Sequence, residues 1–382
     1  MSVTVEANRN QRRHSLWHHA STYQCLPVRV MASGWTTPPP ERSTLMATRS
    51  RRLVIGLATT LAVGSLILTG LITFGGPSTP PFNAAIASHD PAILASLADQ
   101  PAPETFQARD GASLSFRRYP GAAGGGAIVL VHGSSGSNRG SHLLARALSR
   151  GGATVFAVDI RGHGASGPHG DISYATQLDD DMADLARVLD KTLPNETRLL
   201  IGHSSGGGFI LHIAAGKYAC AFDSFLATSP YLNYRSPANR PDGGWANAGI
   251  PRIVGLTIVN RFGVNVFDSL PTVRFAIPQN LPNRTAFYSW RLMRNFGLDM
   301  NKWEREIQSI SRPTRVIIGA NDDLFFGDQY PALFAKLQPR IGVQVLPGAD
   351  HMGVIVEDKP IAEIARTARE MLGTRGAQRC AL

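Results

Sequence analysis

The chain has 382 residues, 43% of them hydrophobic and 17% charged, and a formal net charge of +10. That is enough apolar material for a large core, while Cys25, Cys220 and Cys380 are too few and too scattered for a disulfide framework or a zinc site. The charge does not point to nucleic acid: residues 1–52 hold eight Arg against two Glu, beyond them 30 basic residues face 26 acidic ones, and no long Lys/Arg block follows.

Residues 1–52, with their arginines, three early histidines and Pro38-Pro39-Pro40, lack a sustained apolar period and read as a disordered basic tail. Met46 offers an internal start, which would make residues 1–45 an over-extended reading frame; an organelle transit peptide is the other reading of an Arg-rich, acid-poor leader. From Leu53 to Phe74 there is no charged residue. At ~1.5 Å per residue this stretch spans ~33 Å, the thickness of a bilayer's hydrocarbon, and predicts a transmembrane helix. Arg49, Arg51 and Arg52 precede it and the next charge is Asp90, so the positive-inside rule places the N-terminus in the cytoplasm and everything after Gly75 outside. A cleaved signal peptide with its site at Ala85-Ile86-Ala87 is the competing reading, although the apolar stretch exceeds the usual length and the site lies far beyond its end. Of the three cysteines, Cys220 and Cys380 would share the outer compartment, where a bridge between them is possible, although nothing local argues for it.

Residues 75–103 read as a Gly/Pro/Ala-rich linker with one short helix near 91–97. Beyond it, strands at 105–108 and 113–118 flank the turn signal Asp110-Gly111. Then short apolar runs alternate with helical patterns: strands at 127–131, 154–158, 198–201 and 224–227, helices at 141–150, 174–192 and 206–215. The alternation breaks from about 231 to 310 and resumes with strands at 315–318 and 343–346 and helices at 330–337 and 360–372. This rhythm predicts an α/β fold whose mostly parallel sheet is covered on both faces. An insertion follows the fifth or sixth parallel-sheet strand, and residues 375–382 form a C-terminal tail.

The strand at 198–201 runs into Gly202-His203-Ser204-Ser205-Gly206, a G-x-S-x-G turn that feeds a helix. A serine at the tip of such a turn is exposed and strained, and it becomes a nucleophile only with a base, an acid to orient that base, and N–H donors for the oxyanion. The required order after the serine is acid, then histidine. One later strand ends in Gly319-Ala320-Asn321-Asp322-Asp323 and the next in Pro347-Gly348-Ala349-Asp350-His351. Both clusters fall where ligands gather in open α/β sheets. Ser204 is therefore the candidate nucleophile, His351 the base and Asp322 the acid, with Asp323 the nearest rival and Asp350 a distant one. The turn His132-Gly133-Ser134-Ser135-Gly136 would supply one oxyanion N–H, from Ser134, and the elbow the other, from Ser205.

Together with Asp159-Ile160-Arg161-Gly162-His163-Gly164-Ala165-Ser166, which is similar to a stretch common after the fourth strand of that fold, these motifs make the chain resemble the α/β-hydrolases over residues 105–374. It looks most like their serine-aminopeptidase, monoacylglycerol-lipase and lysophospholipase branch. In that branch the acid stands three residues after the strand-ending glycine, which favours Asp322. The resemblance implies a serine hydrolase acting through an acyl-enzyme, with the insertion as a lid. His132, His163 and His203 read as structural or pocket-lining, and Asp179-Asp180-Asp181 as a solvated helix face or first-turn charge. No second carboxylate–histidine set stands at ligand spacing, so neither a metal nor another cofactor is expected. Aromatics at Trp245, Phe262, Phe267, Phe287, Tyr288, Trp290, Phe296 and Trp303 would form the lid's own core or, collectively, an apolar acyl pocket. The leading reading is a membrane-anchored hydrolase of carboxylic, including lipid-derived, esters. An aminopeptidase-like enzyme and a catalytically silent binding protein on the same fold are the alternatives.

Overall fold

The computed structural model describes residues 41–81, 88–277, 284–374 and 379–380. Two units divide the chain, residues 1–61 and residues 62–382. A single helix, α1 (Glu41–Phe74), runs from the first into the second. Its stretch Thr48–Phe74, with a mean hydropathy of 2.0, is long and apolar enough to cross a membrane. The helix starts at Glu41 rather than Leu53, so residues 41–52, expected to be disordered, are helical. Once the apolar stretch has nucleated a helix, each added residue forms a backbone bond at little cost, and Met46, Ala47 and the arginines are good helix formers. The rest of the proposed tail, residues 1–40, lies outside the described residues, as does the Ala85-Ile86-Ala87 site.

The second unit is built on an eight-stranded sheet in the order β1-β2-β4-β3-β5-β6-β10-β11. Its strands are β1 (Pro103–Gln107), β2 (Ser113–Tyr119), β3 (Ala127–Val131), β4 (Thr154–Val158), β5 (Arg198–His203), β6 (Ser224–Thr228), β10 (Thr314–Gly319) and β11 (Gly342–Leu346). Only β1 and β2 run antiparallel to their neighbours. The other strands pair in parallel, as their unbroken apolar sequences require: a strand buried on both faces has no polar side. In β3, Val129 and Val131 enter one core cluster while Ile128 and Leu130 enter the other. The first cluster is closed by α4 (Gln177–Thr192), α5 (Ser205–Ala215) and α9 (Tyr330–Leu337), the second by α3 (His142–Arg150), α10 (Gly353–Val356) and α11 (Asp358–Leu372). Leu178, Leu185 and Leu189 of α4 are wholly buried, each contributing about 1.5–3 kcal/mol.

The insertion follows the sixth strand of the sheet in chain order, which is the fourth of the parallel ones. It folds as a lid with its own antiparallel sheet of β7 (Ala246–Ala248), β8 (Pro271–Phe275) and β9 (Phe287–Ser289), together with helices α6 (Ile250–Arg261), α7 (Trp290–Asn295) and α8 (Trp303–Ser309). The linker contains α2 (Asp90–Ala95), near its expected place. One expectation is corrected, and one possibility left open by the sequence is met. Asp179, Asp180 and Asp181 are not a solvated face: they are buried in the first turns of α4, against His212, Arg109 and Arg161 respectively. Cys220 and Cys380 form a disulfide across a sequence separation of 160 residues, a pairing that tertiary structure alone brings together.

Candidate active site

Ser204 sits between β5 and α5 with φ 54° and ψ −121°, backbone angles that L-residues rarely adopt. The turn is tight enough to exclude side chains on either side. A Cβ on Gly202 would stand 2.2 Å from the carbonyl oxygen of Gly206, and one on Gly206 would stand 2.3 Å from that of His132. Glycine at both positions is thus a steric requirement of the elbow. The serine also lies at the mouth of α5, whose first N–H groups point toward it and whose dipole favours negative charge there.

His351 follows β11 and its Nδ1 lies 2.8 Å from Asp322 Oδ2, at the end of β10. Both groups are buried, Asp322 completely. Burial pushes the Asp322 carboxyl up, but His351, the Leu324 N–H and the Ser229 hydroxyl outweigh it and hold the group below the usual carboxylate range; the N–H groups of Leu324 and Phe325 both donate to Oδ1. Asp323 is raised by burial and by the charges of Asp350 and Asp322. Asp350 accepts hydrogen bonds elsewhere, from the Gly353 N–H and in a pair with His89. The His351 ring packs against His203 at 4.8 Å and Phe325 at 5.3 Å. Among the described residues no hydrogen bond joins Ser204 to His351, so this geometry brings together the Asp322–His351 pair and leaves the serine link open.

The loop His132–Gly136 lies directly over Ser204: a Cβ on Gly133 would come within 2.9 Å of Ser204 Cβ. What holds the loop comes from the lid, and sequence reading missed it. Trp245 Nε1–H donates to Ser134 Oγ at 2.7 Å, the Ser135 N–H donates to Tyr288 Oη at 3.0 Å, and the Thr285 N–H donates to the Ser135 carbonyl at 3.2 Å. Since Tyr288 Oη accepts from Ser135, its own proton goes to His163 Nε2, 2.7 Å away. Burial drives the His163 ring well below its ordinary pKa and pushes the Tyr288 hydroxyl well up, so both stay neutral and the relay keeps one direction. His132 is a second neutral ring: its Nδ1–H donates to the Gly133 carbonyl and its Nε2 accepts from the Ile160 N–H. The only signal for these contacts was the aromatic richness of the insertion, which names no partner.

The 159–166 stretch acts as the frame of this loop. Asp159 accepts from the N–H groups of Asn138 and Ala165, Arg161 is locked on Asp181, and Ser166 Oγ accepts from the Ser115 N–H. Lid aromatics complete the frame, with Phe296 lying 5.3 Å from the His163 ring and Phe275 4.6 Å from Tyr288. Trp290 and Trp303 are also buried, whereas Phe262 and Phe267 face outward.

Comparison with known proteins agrees with this architecture. A profile of the family described as "Serine aminopeptidase, S33" matches residues 124–358. The chain is 37% identical over 250 residues to the sn-1-specific diacylglycerol lipase ABHD11 of Xenopus laevis, covering 62% of this chain and 78% of that one. It is 28% identical over 109 residues to the monoacylglycerol lipase of Mycolicibacterium smegmatis, covering 28% of this chain and 39% of that protein. Among solved structures, the soluble variant of monoglyceride lipase from Saccharomyces cerevisiae shares the fold with a TM-score of 0.53 at 18% identity, over 72% of this chain and 95% of that one. With its parallel sheet, its elbow serine between β5 and α5 and the family match over most of the folded domain, the chain belongs to the serine aminopeptidase (S33) family of α/β-hydrolases.

Proposed function

We propose that the protein is a membrane-anchored serine hydrolase that cleaves carboxylic esters, lipid-derived ones included, through an acyl-enzyme. The observation that supports this best is the joint placement of Ser204 on a strained elbow and the buried Asp322–His351 pair at the same edge of the sheet. In this reading His351 Nε2 takes the Ser204 proton as Oγ attacks the ester carbonyl. Asp322 holds the Nδ1–H and stabilises the imidazolium. The oxyanion is received by the N–H groups of Ser134 and Ser205, and collapse expels the alcohol, protonated by His351. Water, activated by the same ring, then releases the acid and restores the serine. The unmade Ser204–His351 bond is consistent with a resting enzyme, whose catalytic contacts tighten on substrate.

Ester preference and lipid character are supported by the lipase names of the relatives and by the apolar helix Thr48–Phe74, which we read as a single-pass anchor with the catalytic domain outside the cytoplasm. The Cys220–Cys380 bridge fits such an oxidising compartment. Labelling with a fluorophosphonate should modify Ser204 in the wild type, with Ser204→Ala unlabelled and His351→Ala slowed by orders of magnitude. On p-nitrophenyl esters, kcat/KM should rise from acetate to hexanoate. A peak at acetate together with turnover of alanyl anilides would establish the aminopeptidase reading, and an unlabelled wild type would establish the silent one.

A further inference from the structure

The end of α1 is gripped by the lid. Arg252, near the start of α6, donates from Nε to the carbonyl of Ile72 at 2.7 Å, from Nη2 to that of Thr73 at 2.9 Å and from Nη1 to that of Pro271 at 2.8 Å. One guanidinium thus caps carbonyls that a helix C-terminus leaves without partners and ties them to the lid's own sheet. The two segments meet backbone to backbone. A Cβ on Gly75 would lie 2.7 Å from the Arg252 nitrogen, one on Gly249 2.7 Å from the Pro77 nitrogen, and one on Gly255 2.8 Å from the Ile72 side chain. Ile72, Leu256 and Trp290 close a small core at this junction.

On the same element the lid exposes apolar side chains that nothing among the described residues covers. Ile250 and Val254 project from α6, and the loop after it, Arg261-Phe262-Gly263-Val264-Asn265-Val266-Phe267, is exposed throughout, with Phe262 at 81% and Val266 at 75%. Four large apolar residues in seven, beside an exposed arginine, is the composition of a segment that lies in a membrane interface.

Resting on the anchor reading, we propose that α6 and the 261–267 loop are a second membrane contact, seated in the headgroup region of the leaflet from which α1 emerges. The argument for a bilayer as the occupant is continuity. If Thr48–Phe74 spans the membrane, the carbonyls held by Arg252 belong to its last turn, and at ~1.5 Å per residue they lie within a few ångströms of the hydrocarbon boundary. The lid helix packed against that turn lies at the same depth. The consequence for catalysis is orientation: the lid strands β7 and β9, close to the Trp245 and Tyr288 bonds on the oxyanion loop, belong to the element that meets the lipid.

The test uses the full chain in phosphatidylcholine vesicles containing some phosphatidylglycerol, in a Cys25→Ser background that keeps the Cys220–Cys380 bridge. Single spin labels are placed at Phe262→Cys and Val266→Cys, outward-facing positions whose replacement disturbs no packing. Controls are Leu66→Cys in the span and Glu363→Cys on α11. Collision with oxygen and with a water-soluble nickel chelate reads the surroundings of each label. The expected result is that labels 262 and 266 are more accessible to oxygen and better shielded from nickel than 363, with a shielding smaller than that at 66 because they sit nearer the surface, while 363 is open to nickel. Nickel access at 262 and 266 equal to that at 363, with a lipid-buried 66, would overturn the second contact and leave the anchor standing. Low access to both reagents would make the face a contact with another protein copy, and would also overturn it. A label at 66 open to nickel would refute the anchor reading, and this inference with it.

Discussion

Replacing Tyr288 by Phe removes one oxygen and leaves the aromatic packing intact, which isolates the hydrogen-bonded hold of the lid on the 132–136 loop, proposed above to supply an oxyanion donor. Two buried groups lose their partner: the Ser135 N–H, 3.0 Å away, and His163 Nε2, at 2.7 Å. At about 1–3 kcal/mol for each of the two buried groups left unmet, the variant should lose about 2–6 kcal/mol of stability. The catalytic effect should be separable from this. Removing an oxyanion donor outright costs about 10²–10³ in kcat, and here the Ser134 N–H is displaced rather than lost, because Trp245 and Thr285 still hold the loop. A fall in kcat of about tenfold, or ~1.4 kcal/mol in the barrier, with KM nearly unchanged, is the expected outcome. Steady-state kinetics on p-nitrophenyl butyrate well below the melting temperature, paired with thermal unfolding, would measure both. A variant that unfolds earlier but keeps wild-type kcat would show that Tyr288 is a packing residue and that the lid does not position the oxyanion donors.

For the acid, Asp322→Asn should lower kcat by orders of magnitude, while Asp323→Asn and Asp350→Asn stay within a few fold; a larger loss at Asp323 would transfer the role one residue along. Among the charged groups, burial disfavours protonation of His212, but its bonds to Asp179 and Glu306 outweigh this and raise it to about 10. A folded pKa above the unfolded ~6.5 means that its contribution is complete below about pH 6.5 and fades as pH rises toward about 10. The stability gap between wild type and His212→Gln, from urea unfolding, should therefore shrink across that window, and a gap independent of pH would show that the ring is neutral in the fold. Removing the Cys220–Cys380 bridge by a double Ser substitution should cost about 3–5 kcal/mol, since it closes a loop of more than a hundred residues; an unchanged melting temperature under reducing and oxidising conditions would mean that the bridge is not formed.

The sheet was legible because each of its strands announces itself locally. Ala127–Val131 and Arg198–His203 are short apolar runs with a turn signal at the end, and a strand buried on both faces leaves no other way to write them. The elbow was legible for a stricter reason: Gly202 and Gly206 have no room for a Cβ, so the spacing in the sequence is the geometry itself. The Asp322–His351 pair was legible only through order, both residues falling after strands that the topology sets side by side. What stayed hidden depends on partners distant in the chain. The acidic run 179–181 looked solvated because Arg109, Arg161 and His212 are spread over a hundred residues, and the paired cysteines are further apart still.

The lid is the extreme case of that rule. Its residues carry little periodic pattern, because they pack against three different things: Trp245 and Tyr288 against the 132–136 loop, Trp303 in the main core, and Leu256 and Trp290 against the last turn of α1. A sequence that must satisfy three surfaces cannot repeat on any one of them. The irregularity that made residues 231–310 unreadable is thus a product of their position, between the helix that could enter a membrane and the loop that lies over Ser204. Arg252 and Tyr288 mark the two ends of that connection, one bonded to the carbonyls of Ile72 and Thr73 and the other to the N–H of Ser135. Because β8, which carries the Pro271 carbonyl bound by Arg252, pairs directly with β9, which carries Tyr288, a displacement of α6 has a hydrogen-bonded path to the 132–136 loop only two strands long.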